Sequence, residues 1–146
     1  MPKDADPREC SIADALQVIG ERWSLLVIRE LVYGVRRFDA IARNTGAPRD
    51  ILTTRLRKLE TAGIVRRELY SERPARYEYH LTESGWELSD VLAVLMSWGD
   101  RHLNPDDPPV RWTHVCGERL RPQVVCACCG RPVRDGATPT GRGART

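Results

Sequence analysis

No apolar run in this 146-residue chain approaches the ~18 residues that a membrane-crossing helix needs, and Leu25-Leu26-Val27-Ile28 is cut off at once by Arg29 and Glu30. The opening MPKDADPREC has no apolar stretch of the kind a secretory signal carries. Without span or signal, the expectation is a cytoplasmic protein with no membrane partner. Also missing are a glycine-rich phosphate loop, a convincing catalytic triad and a paired-carboxylate pocket. The βαβ pattern that normally carries dithiol oxidoreductase chemistry is absent too. These gaps argue against an enzyme. No internal repeat is present. Nor is there a large excess of either charge, since 23 Lys and Arg face 20 Asp and Glu for a net +3.

At 41% hydrophobic and 29% charged, the chain can build a core, and its length suits one domain with a short appendage. The charge is uneven. Residues 36–79 hold eleven Arg and Lys against six Asp and Glu, a local +5, and the remainder is −2. A basic middle favours a polyanionic partner over evenly spread charge.

Residues 1–9, polar with two prolines, read as a flexible arm. Ile12, Ala15, Leu16 and Ile19 predict a helix over Ser11–Ile19, and a buried helix follows over 23–33, ended by Gly34. Phe38, Ile41 and Ala42 start a short third helix that stops near Gly46. A fourth, about 48–62, opens with Pro48 in its first turn and closes at Gly63. The period then switches to two. Strands over 64–70 and 76–81 flank a turn-rich 71–75, which predicts a β-hairpin. Thr82 can cap a last helix carrying Leu88, Val91, Leu92, Leu95 and Trp98. Residues 103–113 form a linker with the sequence NPDDPP, 114–134 a Cys/His-rich appendage, and 135–146 a tail expected to be disordered.

This order predicts a mainly α fold with one small hairpin, the layout of a winged helix–turn–helix domain spanning 10–102. One helix fits the roughly 12 Å major groove, and a hairpin tipped with arginine reaches backbone or minor groove. Winged helices also serve as protein–protein interaction modules, which is the alternative reading.

Several motifs in register resemble one family. Cys10 with Ala15-Leu16, Ile19-Gly20-Glu21-Arg22-Trp23-Ser24-Leu25-Leu26-Val27-Ile28-Arg29-Glu30-Leu31, Arg36-Arg37-Phe38, Leu52-Thr53-Thr54-Arg55-Leu56, Leu59-Glu60-Thr61-Ala62-Gly63-Ile64-Val65 and Tyr77-Glu78-Tyr79-His80-Leu81-Thr82 are similar to the HxlR-type, MarR-like winged-helix transcriptional regulators. The resemblance implies a homodimer that binds double-stranded operator DNA, joined through its first and last helices. Leu88, Val91, Leu92, Leu95 and Trp98 would then supply half of the interface, or close the domain's own core, or do both. One departure is Ala47, where the family often has a serine before the proline. Losing a serine cap typically costs about 0.5–2 kcal/mol.

With Leu52, Leu56 and Leu59 turned inward, the 100° helical step points Asp50, Thr53, Thr54 and Arg57 broadly outward. Thr53, Thr54 and Arg57 are expected to face base edges or nearby backbone. Arg49 and Arg55 flank them and would position the protein on phosphate, with a carboxylate as the competing partner for Arg55. Lys58 carries no assigned contact. Arg73 and Arg76 are the wing candidates.

Cys10 stands at the predicted start of the first helix, whose dipole can favour thiolate. Some members of the resembled family sense oxidants or electrophiles through a cysteine here, so Cys10 is a redox-sensing candidate, the alternative being a buried or inert thiol. The effector itself is not identified. In the appendage, Cys126 and Cys129 form a C-x-x-C pair, and His114 with Cys116 could complete a four-ligand set for a structural zinc, the alternative being reduced thiols or a labile disulfide. The single residue between His114 and Cys116 is tighter than usual spacing.

Overall fold

The helical spacings become five α-helices and the alternating stretch a single hairpin in the computed structural model, which describes residues 6–144. Residues 1–5 of the expected arm and 145–146 of the expected tail lie outside the described residues. In chain order the elements are α1 (Ser11–Ile19), α2 (Arg22–Val32), α3 (Phe38–Thr45), α4 (Arg49–Thr61), β1 (Val65–Glu72), β2 (Ala75–Leu81) and α5 (Glu83–His102). A single 3₁₀ turn, Val133–Asp135, follows near the C-terminus.

The core forms around α2. Its Val27, Ile28 and Leu31 meet Ile41 of α3, Leu52, Leu56 and Leu59 of α4, and Val65, Leu81 and Leu92 beyond. α2 packs against α1, α3, α4, α5 and β2, so it is the post to which the other elements are fastened. Glu30 is buried within this packing. Its carboxylate accepts from Arg29 at 2.8 Å and from Asn44 Nδ2 at 2.8 Å, which compensates the buried charge and ties α2 to α3.

The hairpin is longer than side-chain alternation predicts. Pairing runs from Val65↔Leu81 to Glu72↔Ala75, leaving only Arg73-Pro74 as the turn, with a bulge between Leu69 and Ser71. Ladder bonds join backbone groups, so pairing continues past the last residue that has an apolar reason to alternate.

Pro48 also differs from expectation. It occupies the N-cap of α4, with extended ψ of 140°, rather than the first helical turn. Ala47 therefore lies before the cap, buried, with its N–H donating to Thr45 Oγ1 at 3.2 Å. The cost expected from a missing serine cap does not arise at this position.

Thr82 caps α5 as its sequence suggests, its hydroxyl oxygen accepting from Gly85 N–H at 3.3 Å. The same hydroxyl reaches back to Ile64 O at 3.1 Å. Gly85 makes this junction sterically possible, because a Cβ there would stand 2.3 Å from Ile64 O. The start of β1 and the first turn of α5 are thereby locked together.

Along α5 the predicted apolar stripe divides. Leu92 belongs to the core and Leu88 packs on its edge, whereas Val91, Leu95 and Trp98 are exposed on another flank. Two residues close the domain and three do not. Among the described residues, no helix is long and apolar enough to cross a membrane.

Candidate nucleic-acid interface

α4 is held by its three leucines. Leu52, Leu56 and Leu59 are no more than 2% exposed, which fixes the helix's rotation about its axis. Asp50, Thr54 and Arg57 are exposed as that rotation requires, and Thr53 is half-buried. Both threonine hydroxyls donate to the preceding turn, Thr53 to Arg49 O at 2.9 Å and Thr54 to Asp50 O at 3.0 Å. Each oxygen keeps a lone pair for an outside donor.

The cations on this helix are not equivalent. Arg49 donates to Asp39 at 2.7 Å and stacks its guanidinium 4.8 Å from the centre of the Phe38 ring. Arg55 is largely covered and ion-paired to Glu21 at the N-cap of α2, and Lys58 approaches the same carboxylate at 3.7 Å. Glu21 is a residue that sequence reasoning left without a role. No local spacing rule connects it to α4, since only the tertiary fold brings the start of α2 against that helix. Arg57 is different. Among the described residues its side chain has no hydrogen bond or ion pair.

The hairpin is braced against the helices at its base. Tyr79 N–H donates to Arg36 O at 2.8 Å, and Arg37 lies 4.4 Å over the Tyr70 ring while approaching Glu78 at 3.6 Å. Arg67 reaches Glu60 of α4 at 3.4 Å and covers the Tyr77 ring at 4.5 Å. Glu68 accepts from Arg66, which holds its carboxyl below the usual carboxylate range, and His80 stands 3.2 Å away. Burial raises the Tyr79 phenol above its ordinary value, partly opposed by Arg67. At the tip, residues 72–76 are exposed, and the Arg73 and Arg76 side chains have no ion pair or hydrogen bond among the described residues. A fixed base thus presents free cations at its end.

Two other predicted groups lie elsewhere. Cys10 is the N-cap residue of α1, half-buried, with no side-chain capping bond. In the appendage Cys116, Cys126, Cys128 and Cys129 are exposed free thiols. His114 Nδ1 accepts the Cys116 N–H at 3.3 Å. Among the described residues, no group of three or more His, Cys, Asp or Glu side chains is arranged to hold a metal ion, so His114, Cys116, Cys126 and Cys129 are not gathered into one four-ligand cluster.

Comparison with known proteins agrees with this architecture. The HxlR-like helix-turn-helix family model matches residues 18–107. The uncharacterised HTH-type transcriptional regulator Rv3095 of Mycobacterium tuberculosis is 46% identical over 125 residues, covering 84% of this chain and 79% of the relative. The solved structure of PA1607, a candidate transcription factor, superposes with a TM-score of 0.78 at 30% identity, over 91% of this chain and 96% of that one. The redox regulator HypR in its oxidised form gives a TM-score of 0.58 at 33% identity, over 64% of this chain and 97% of its own. With α3 and α4 as the helix–turn–helix and β1–β2 as the wing, this chain belongs to the HxlR-like family of winged helix–turn–helix transcriptional regulators.

Proposed function

We propose that this regulator binds operator DNA sequence-specifically as a homodimer, with α4 in the major groove and the wing on backbone or minor groove. The observation that carries the reading is Arg57, which faces away from the three buried leucines, its side chain without ion pair or hydrogen bond among the described residues. An arginine in that position is suited to a guanine edge or a phosphate. Thr54 and, at the flank, Thr53 accompany it. Arg73 and Arg76 serve the wing. Arg49 can exchange Asp39 for a phosphate at little cost, because both side chains are mostly exposed. Arg55 acts as a brace through Glu21 and not as a DNA contact.

Dimerisation is supported by unpartnered apolar side chains on the first and last helices. Ile12 and Leu16 of α1, spaced i, i+4, are 71% and 56% exposed, and Val91, Leu95 and Trp98 of α5 repeat at helical spacing. A two-fold dimer would present two copies of α4 to successive major grooves. Redox response through Cys10 is supported by its place at the α1 N-cap, beside this surface, and by likeness to a redox regulator. Loss of DNA affinity under mild oxidant in the native chain, and not in Cys10→Ser, is the expected result. Indifference of the native chain would remove Cys10 from the reading.

Selection of bound duplexes from random-sequence DNA tests the main reading. The expected product is a two-fold symmetric motif with half-sites about 10 base pairs apart. Absence of any enriched sequence would favour a winged helix used for protein partners.

A further inference from the structure

The appendage contains two turns that each reverse at a glycine directly after a cysteine, the first closed over three residues and the second over four. In the first, Gly117 at φ +90° follows Cys116, its N–H donates to His114 O at 2.9 Å, and the Thr113↔Arg119 bridge closes the base. In the second, Gly130 at φ +72° follows Cys129, its N–H donates to Cys126 O at 2.7 Å, and the Val125↔Pro132 bridge closes the base. A residue with a side chain rarely adopts this φ, so glycine lets the chain reverse immediately after the cysteine.

In the second turn the reversal brings two sulfurs together. Cys126 Sγ accepts from the backbone N–H groups of Cys129 and Cys128, and lies within hydrogen-bond reach of the Cys129 side chain. Backbone donors aimed at one sulfur form a small anion-stabilising concavity. They keep that sulfur in place beside its C-x-x-C partner, with the orientation of a metal ligand set by the backbone. The turn lies in the solvent-exposed appendage, outside the helix–turn–helix and the wing, and nothing in DNA reading uses it.

We propose that Cys126 and Cys129 are the anchoring pair of a site for one soft, thiolate-seeking d10 cation. The ion displaces the thiol proton and bonds to both sulfurs, releasing two protons for two thiols with no change of oxidation state. Cys128 supplies its N–H to the turn and not its sulfur to the ion. Two ions fit this chemistry. Copper(I) is satisfied by two thiolates, whereas zinc requires two further donors, for which the His114–Cys116 turn is the nearest comparable unit in the sequence.

The test uses the full-length reduced protein, titrated with copper(I) against a copper(I) chelator and with zinc(II) against a chromophoric chelator. One ion per chain is expected, with affinity falling at least tenfold in Cys126→Ser and in Cys129→Ser and staying within about threefold in Cys128→Ser. Circular dichroism and thiol counting verify that each variant is folded and reduced. Copper(I) binding retained in a His114→Ala, Cys116→Ser double variant supports the two-thiolate form. Zinc binding lost in that variant supports the four-donor form on the same anchoring pair. Equal binding by the native chain and a Cys126→Ser, Cys129→Ser variant, or dependence on Cys128, overturns the assignment.

Discussion

Arg55 is ion-paired to Glu21, with its side chain only 15% exposed, so a cation of α4 fastens that helix to the start of α2. The pair is half-covered rather than buried, since the Glu21 side chain is 50% exposed. Its loss is therefore expected to cost about 1–2 kcal/mol, between a surface and a buried ion pair. Arg55→Met should lower the unfolding free energy from urea titration by that amount while leaving the salt dependence of DNA affinity unchanged. A salt slope reduced by about one unit would instead identify Arg55 as a phosphate contact.

Trp98 is half-exposed on the flank of α5 that the core does not use. In a homodimer joined there, Trp98→Glu places a charge in an apolar interface. The dimer dissociation constant should rise about a hundredfold, roughly 2.7 kcal/mol, with helical content preserved. Sedimentation velocity reads this directly. A native chain that is monomeric at all concentrations, or a variant that dimerises equally well, would contradict the arrangement.

Thr82 joins the wing to α5 through its cap on Gly85 and its bond to Ile64 O. Thr82→Ala is expected to lose about 1 kcal/mol of stability, seen as a lower thermal midpoint. Thr82→Ser should recover most of that loss, because the hydroxyl is what the junction uses. Failure of serine to rescue would assign the effect to the lost methyl group.

Tyr79 titrates late because burial disfavours its phenolate. A phenol raised in the folded state contributes stability that is whole below its unfolded value of roughly 10 and disappears as pH rises through the folded value. Absorbance of tyrosinate should therefore show a last phase that Tyr79→Phe removes. An unchanged titration curve in the variant would place the late phenol elsewhere.

Most of the helical frame was legible in the sequence, because Leu52, Leu56 and Leu59 repeat at the period of the helix they bury. The β-strands were legible in kind but not in extent. Their outer ends are held by backbone bonds, which leave no mark on side-chain choice. Pro48 stands one position before the first helical turn, since proline suits both the cap and that turn and the sequence does not choose between them. Within the site, the outward face of α4 followed from periodicity alone, but the sorting of its arginines did not. Asp39 beside Arg49 and Glu21 beside Arg55 are tertiary pairings, and nothing in the local sequence announces either one. The division of the α5 stripe into a core edge and a free flank was likewise visible only once α2 and α5 were packed.

The measurement that bears most directly on DNA reading is the affinity of Arg57→Ala for a selected operator duplex, across a series of salt concentrations. The Arg57 side chain is exposed and without an ion pair or hydrogen bond among the described residues, so its removal should leave thermal stability unchanged. Binding is expected to weaken by about 1–3 kcal/mol on the operator and much less on unrelated DNA if Arg57 reads a base, or uniformly with a shallower salt slope if it holds a phosphate. Native affinity together with a native salt slope would contradict the placement of α4 in the groove.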